Sequence, residues 1–399
     1  MMDFLDDDLA DRRRRGLYRT RRHVESAQGV RLTVRGRSLV NFASNDYLNL
    51  AADPRLARAA ARAALRFGTG AGASPLVSGH LPPHRALERA LAAWEGTEAA
   101  LVFSSGFAAN LAVVGTLAER DTVVFSDELN HASLIDGCRS GRAKVVVYRH
   151  GDANHLAELL QQEAGARRRV VVTDTVFSMD GDLAPLVDLH DLTRRHDAVL
   201  VVDEAHATGV LGENGRGLCD VPDEDHIIKV GTLSKALGAQ GGFVVGSRKL
   251  IASLVNRARP YIFSTALAPP TAAAARRGVA VAQAEPERRR HVLGLAEMLR
   301  QGLRELGRPE TGSRSQIVPV VLGAATNAVE VSRRLEAAGL LAPAIRPPSV
   351  PEGTSRLRIS LSAGHSADDV ARLLGALRTV LPATAAASSS PDRSRGPGP

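Results

Sequence analysis

The chain has 399 residues, 44% apolar and 24% charged, and its 51 Lys and Arg against 43 Asp and Glu give a net charge of +8. This balance fits a soluble globular protein long enough for two domains and excludes collagen-like, coiled-coil and disordered classes. Two cysteines, Cys138 and Cys219, lie far apart without metal-ligand spacing, which argues against a disulfide framework or a metal site and for a reducing, cytoplasmic setting.

The first fifteen residues pass from acidic (Asp6, Asp7, Asp8) to basic (Arg12, Arg13, Arg14, Arg15) without a signal-peptide core, and no apolar run reaches membrane-span length. No membrane partner is expected. Arginine supplies the positive excess, clustered at 12–22 and 288–290, but aromatics make up only 4% and show no alternation with basic residues. A nucleic-acid partner is therefore not expected; an acidic small molecule or a phosphorylated carrier suits the charge better.

Alternation at 31–34 and 39–42 predicts a short hairpin, followed by a polar turn at 44–47. Pro54 opens an alanine-rich helix ending near Phe67, and the glycine-rich stretch 68–74 matches neither a dinucleotide nor a P-loop fingerprint. A second helix is predicted at 83–94. From there β-branched runs at 100–103, 122–125, 144–148, 170–173, 199–203, 227–231 and 243–246 alternate with helical stretches. Several runs are apolar throughout, as strands covered on both faces must be, so the fold class is α/β with a mostly parallel seven-stranded sheet. Beyond Pro269 and Pro270 the pattern changes to Arg- and Ala-rich helices over 272–306. A strand at 316–322, a helix at 327–338, strands at 340–345 and 356–361, and a last helix at 366–381 follow. The expected organisation is an N-terminal arm (1–40), a large α/β domain (41–270), a smaller α+β domain (271–382) and a disordered tail (383–399).

Polar residues gather where the predicted strands end, at 104–106, 127–131, 174–178, 203–206 and 232–235. Ligands of open α/β sheets bind at those ends, so five segments point to one pocket. Lys235 sits there among small residues, in Thr-Leu-Ser-Lys-Ala-Leu-Gly at 232–238. A desolvated amine sheds its charge and becomes a nucleophile, although a loop lysine at a helix start reads the same locally. Asp203 ends an apolar strand and needs a cation such as a pyridinium nitrogen, or else caps the next helix. His206, three residues on, addresses the same ligand or lies on the surface. His131 suits stacking on a conjugated ring or a structural role. Gly106 and Phe107 open a helix whose free N–H groups favour phosphate, or are an ordinary cap. Ser178 is a turn serine, and Arg346, ahead of Pro347 and Pro348, either meets a carboxylate or lies at the surface.

Taken together, Ser-Asn-Asp-Tyr-Leu at 44–48, Gly-Phe-Ala-Ala-Asn at 106–110, Asn-His-Ala-Ser-Leu at 130–134, Val-Phe-Ser-Met-Asp-Gly-Asp at 176–182, Asp-Glu-Ala-His-Ala-Thr-Gly at 203–209 and Gly-Thr-Leu-Ser-Lys-Ala at 231–236 closely resemble the α-oxoamine synthases. These are fold-type I enzymes that use pyridoxal 5'-phosphate, and the resemblance runs from about 17 to 381. It implies that Lys235 holds the cofactor and moves protons at the substrate α-carbon, that Asp203 pairs with the ring nitrogen, and that His131 stacks on the ring. His206 and Ser178 would contact the phenolic oxygen, with Gly106, Phe107 and Thr232 serving the cofactor through backbone or phosphate contacts. Arg346 would grip the amino-acid carboxylate with Ser349 nearby, Asn45 would border the substrate, and Arg19 or Arg21 would face the acyl group. The resemblance also implies a homodimer, in which Ser264 and Thr265 reach the neighbour's phosphate.

The segment 344–351 and the Thr-Leu-Ser-Lys form of the lysine motif look most like members that join L-alanine to a pimeloyl thioester, pimeloyl-CoA or pimeloyl-ACP, with loss of carbon dioxide. Sister enzymes that use glycine and other acyl groups share most of these motifs. Asn49 stands where the family has glycine, and Pro75 also departs from many relatives; both bear on the acyl chain more than on the chemistry.

Overall fold

A computed structural model describes residues 3–219 and 226–381. The tail expected at 383–399 lies outside the described residues. The strands are β1 (Arg31–Val34), β2 (Arg37–Asn41), β3 (Ala99–Phe103), β4 (Thr122–Asp127), β5 (Lys144–Tyr148), β6 (Arg168–Asp174), β7 (Ala198–Asp203), β8 (Ile227–Thr232), β9 (Gly242–Gly246), β10 (Ile317–Gly323), β11 (Leu340–Leu341), β12 (Ala344–Ile345) and β13 (Ser355–Ser360).

Seven of them form the main sheet in the order β3-β9-β8-β7-β6-β4-β5. Only β9 runs antiparallel to its neighbours, so the expected mostly parallel sheet is borne out. Apolar side chains on β4, β6, β7 and β8 divide between two clusters, one under the helix Gly106–Leu117 and the other under the helices Ala153–Gln162 and Leu186–Arg195. That two-sided cover is why these strands read as unbroken apolar runs. Strand β5 is the edge, and Val145 and Val147 stay exposed there.

Parallel pairing sets the C-terminal ends of β4, β6, β7 and β8 side by side, with Asp174 opposite Asp203 and Asp203 opposite Val230. Beyond β8 the chain turns back into β9 through the loop that carries Lys235. Gly242 makes this turn feasible: a Cβ there would lie 2.3 Å from the Ser105 carbonyl oxygen and 2.6 Å from the Gly106 Cα. Gly242→Ala is expected to destabilise the protein by about 1–3 kcal/mol through overpacking, read as a lower urea midpoint with an unchanged slope.

The predicted hairpin forms: Arg35 and Gly36 both take positive φ (52° and 70°), the two-residue turn that matches strand twist. Helix Pro54–Phe67 has the predicted bounds, with Asp53 accepting from the Arg55 N–H and Gly68 at φ 80° ending it. The helical stretch 272–306 is two helices, Pro269–Ala284 and Pro286–Glu305, parted at Glu285 ahead of Pro286. The first lies on the large-sheet side against Pro54–Phe67 and Pro82–Glu95; the second packs on Ala367–Val380 and β10.

Two expectations need correction. The stretch 340–345 is not one strand: β11 pairs parallel with β2, whereas β12 pairs antiparallel with β13 in a separate sheet with β10. Pro343 stands between them and supplies no N–H for a continuous ladder. At the N-terminus a helix, Asp3–Arg14, stands where only a charged arm is expected. Among the described residues no helix is long and apolar enough to cross a membrane.

Candidate active site

The loop after β8 delivers Lys235 to the ends of β6 and β7. Its Nζ lies 2.9 Å from His206 Nε2, and His206 Nδ1 lies 2.6 Å from the Tyr47 hydroxyl. Tyr47 donates to Asn45 Oδ1 at 3.1 Å, and Arg358 donates to the same oxygen at 3.1 Å and to the Tyr47 oxygen at 3.4 Å. With the Tyr47 proton directed to Asn45, His206 donates from Nδ1 and its Nε2 lone pair faces the lysine. Gln316 Nε2 holds the His206 carbonyl at 2.8 Å.

Burial, the Lys235 charge and the Arg358 charge hold His206 well below the usual imidazole range, so it is neutral. Lys235 is itself drawn down to about 8, chiefly by removal from water and further by Arg358, against the pull of Asp203 and Asp174. A midpoint of about 8 leaves roughly a tenth of the amine uncharged at pH 7, far more than an ordinary lysine has, and the uncharged form is the nucleophile or base.

Asp203, at the end of β7, is 5% exposed. Its Oδ2 accepts from Asn110 Nδ2 at 2.5 Å and its Oδ1 from the Ala205 N–H at 2.8 Å. Asn110 also donates to Ser133 Oγ at 2.9 Å, and Ser133 Oγ lies 2.6 Å from His131 Nδ1. The backbone N–H of His131 donates to Asp174 Oδ2 at 2.6 Å. Burial, and after it the neighbouring Asp203, push the Asp174 carboxyl well above its ordinary range. Burial also lowers His131, and its ring meets Phe107 edge-on at 6.4 Å between centroids.

Gly106 opens the helix Gly106–Leu117 beside Thr232: a Cβ on Gly106 would lie 3.3 Å from the Thr232 hydroxyl. Ser105 caps the Ala108 N–H, which leaves the N–H groups of Gly106 and Phe107 for an anion. Thr232 Oγ1 shares a 2.7 Å hydrogen bond with Ser234 and donates to the Gly241 carbonyl at 3.0 Å.

The structure thus gathers Lys235, Asp203, His206, His131, Asn45, Gly106, Phe107 and Thr232, with Ser178 joined through its carbonyl to Arg358 Nε. A second group lies where the N-terminal arm meets the turn at 346–349: Arg19 donates to the Pro347 carbonyl at 3.1 Å, Arg346 to the Gly16 carbonyl, and the Ser349 N–H to the Arg346 carbonyl at 3.1 Å. Arg21 and Thr265 are exposed and share no hydrogen bond with the lysine cluster. Sequence reasoning gave no role to Tyr47, Asn110, Asp174 or Arg358. Among the described residues no group of three or more His, Cys, Asp or Glu is arranged around a metal.

A family model described as "Aminotransferase class I and II" matches residues 37–377. The 8-amino-7-oxononanoate synthase of Anaeromyxobacter sp. (strain K) is 52% identical over 383 residues, 96% of each chain. The chain belongs to the 8-amino-7-oxononanoate synthase branch of the class I and II aminotransferase family. Among solved structures, the serine palmitoyltransferase of S. paucimobilis with bound pyridoxal phosphate–myriocin superposes with a TM-score of 0.89 at 31% identity, covering 95% of this chain and 97% of that one. The 8-amino-7-oxononanoate synthase of Francisella tularensis superposes with a TM-score of 0.74 at 27% identity, covering 86% and 97%. These fold-type I neighbours share the α/β architecture described above. The cluster fits the cofactor used by this synthase branch: a half-buried amine for the aldehyde, a buried carboxylate for a ring nitrogen, a neighbouring imidazole, and a helix N-terminus for phosphate.

Proposed function

We infer that the protein joins L-alanine to a pimeloyl thioester, on coenzyme A or acyl carrier protein, giving 8-amino-7-oxononanoate, carbon dioxide and the free thiol, as a cytoplasmic homodimer in biotin synthesis. The observation that carries this reading is the Lys235 amine, drawn down to about 8 beside Asp203, His206 and Arg358, in a chain so similar to enzymes of that name. When bound, pyridoxal phosphate supplies an electron sink for the α-carbon of the amino acid. Lys235 would hold it, Asp203 would pair with its ring nitrogen, and His131 would stack on its ring. Ser178 and His206 would face its phenolic oxygen, and Gly106, Phe107 and Thr232 its phosphate. Thr265, exposed on this protomer, would reach the phosphate held by the neighbouring one.

Lys235, released when alanine binds, takes the α-proton as a neutral amine, with the His206 Nε2 lone pair keeping Nζ aimed. The α-carbon bonds to the thioester carbonyl as the thiolate leaves. The bond to the carboxylate then breaks, carbon dioxide departs, and the Lys235 ammonium returns its proton to the α-carbon. Asp203, fixed by Asn110 and the Ala205 N–H, would accept from the protonated ring nitrogen and so favour the electron-poor ring.

Arg358, 6% exposed and fixed by Asn45, Tyr47 and the Ser178 carbonyl, is our assignment for the carboxylate of alanine. Arg346 and Ser349, with Arg19 or Arg21, are assigned to the acyl side. Arg358→Ala is expected to lower kcat/KM for alanine about 10²-fold, the worth of a charged hydrogen-bond pair, and Arg358→Lys to recover little of it because the planar fork is lost. Steady-state kinetics with saturating thioester read both. The amino-acid choice is tested by the visible absorption of the holoenzyme titrated with L-alanine and glycine. Tighter perturbation by alanine supports this reading, and a glycine preference assigns the chain to a sister reaction.

A further inference from the structure

We propose that the outer face of helices Pro54–Phe67 and Pro269–Ala284 is a docking surface for an acidic protein that presents the acyl thioester, an inference that rests on the reaction inferred above. The two helices pack side by side, with Pro82–Glu95 against the second, and frame a groove of about 860 Å³. Arg62, Arg66, Arg276 and Arg277 line it, and all four are exposed. No carboxylate lines the groove, and none among the described residues pairs with these four. Some exposed arginines elsewhere are tied to acids, as Arg12 is to Asp8, Arg304 to Glu297 and Arg333 to Glu330, and these four are gathered around one groove. Four guanidinium groups around one groove repel one another, so an anionic occupant is favoured.

Leu65, 90% exposed, stands among them, and the Arg66 guanidinium lies 5.1 Å from the Phe67 ring centroid. An apolar knob ringed by cations matches a helix that carries carboxylates around small apolar side chains, the pattern of an apolar interface centre with a charged rim. A second copy seated with this groove on the two-fold axis would set arginine against arginine. Nucleic acid would satisfy the arginines and leave Leu65 without an apolar partner. The surface is also coupled to the site: the inner side of Pro269–Ala284 rests on the lysine loop, where a Cβ on Gly278 would fall 2.2 Å from the Leu237 carbonyl oxygen.

The test assays holoenzyme and the R62E/R66E/R276E/R277E variant with the pimeloyl thioester on acyl carrier protein and on coenzyme A. The expected result is a fall of at least about tenfold in kcat/KM for the carrier-protein substrate, arising in KM, with turnover of the coenzyme A thioester unchanged. Leu65→Ala is expected to show a smaller loss with the same selectivity. Unchanged turnover on the carrier protein, or an equal fall on both thioesters, would overturn the surface. So would a wild-type enzyme that accepts only the coenzyme A thioester, or charge reversal that abolishes binding of duplex DNA and leaves carrier-protein turnover intact. A wild-type enzyme that turns over neither thioester would overturn the parent reaction, and the surface with it.

Discussion

Lys235→Ala is expected to lower kcat by at least about 10⁴-fold, since positioned proton transfer alone is worth roughly 10²–10⁴ and this amine is assigned both to hold the cofactor and to move the α-proton. No other described lysine can replace it: Lys229 is buried in an ion pair with Glu95 at 2.7 Å, Lys144 pairs with Glu163 at the surface, and Lys249 is exposed on the helix Arg248–Arg257, after the end of β9 remote from Thr232. The neutral amine is the reactive form, which fixes a sign. Capture of pyridoxal phosphate by the apoenzyme should quicken as pH rises and level off above a midpoint of about 8. Stopped-flow absorbance reads the midpoint, and single-turnover product formation reads the variant. A variant within tenfold of wild type would remove Lys235 from the mechanism.

Asp203→Asn is the second large effect, a loss of about 10²–10⁴ in kcat, from the roughly 3–5 kcal/mol that breaking a buried ion pair costs. The substitution keeps the shape and removes the carboxylate assigned to the ring nitrogen. Asn110, which donates to Asp203 Oδ2, would meet an amide in place of a carboxylate. The Asp174 carboxyl, pushed up in part by Asp203, should fall back toward its ordinary value, and a carboxyl titration followed by infrared difference spectroscopy would register that shift. Full activity in Asp203→Asn would show that the ring nitrogen needs no anion.

The large sheet was legible because burial on both faces leaves a plain mark, an apolar run such as Val-Leu-Val-Val ahead of Asp203. The polar residues closing those runs then marked the pocket, which the structure assembles from Lys235, Asp203, His206 and His131. Arg358 escaped notice for a physical reason. In Ser-Arg-Leu-Arg-Ile-Ser at 355–360, alternating arginines read as the wet face of a half-exposed strand, yet both are buried against the loop at 178–180. Arg356 pairs there with Asp180, and Arg358 holds the Ser178 carbonyl. Those partners lie about half the chain away, and no local period encodes them.

Tyr47 and Asn110 were visible within motifs, but their work depends on partners brought in by β7 and β13. The helix Asp3–Arg14 was missed because its charges surround it and Phe4, Leu5 and Leu9 stay exposed, so no apolar stripe announces it. The split of 340–345 followed from Pro343, a residue plainly present whose consequence depends on which strand lies alongside.

The proposed reaction makes a carbon–carbon bond at alanine with loss of its carboxylate. Holoenzyme incubated with carboxyl-labelled L-alanine and pimeloyl-CoA, with products followed by mass spectrometry, should release one labelled carbon dioxide for each unlabelled 8-amino-7-oxononanoate, with equimolar free thiol. Release of pyruvate, or of thiol without carbon dioxide, would contradict it.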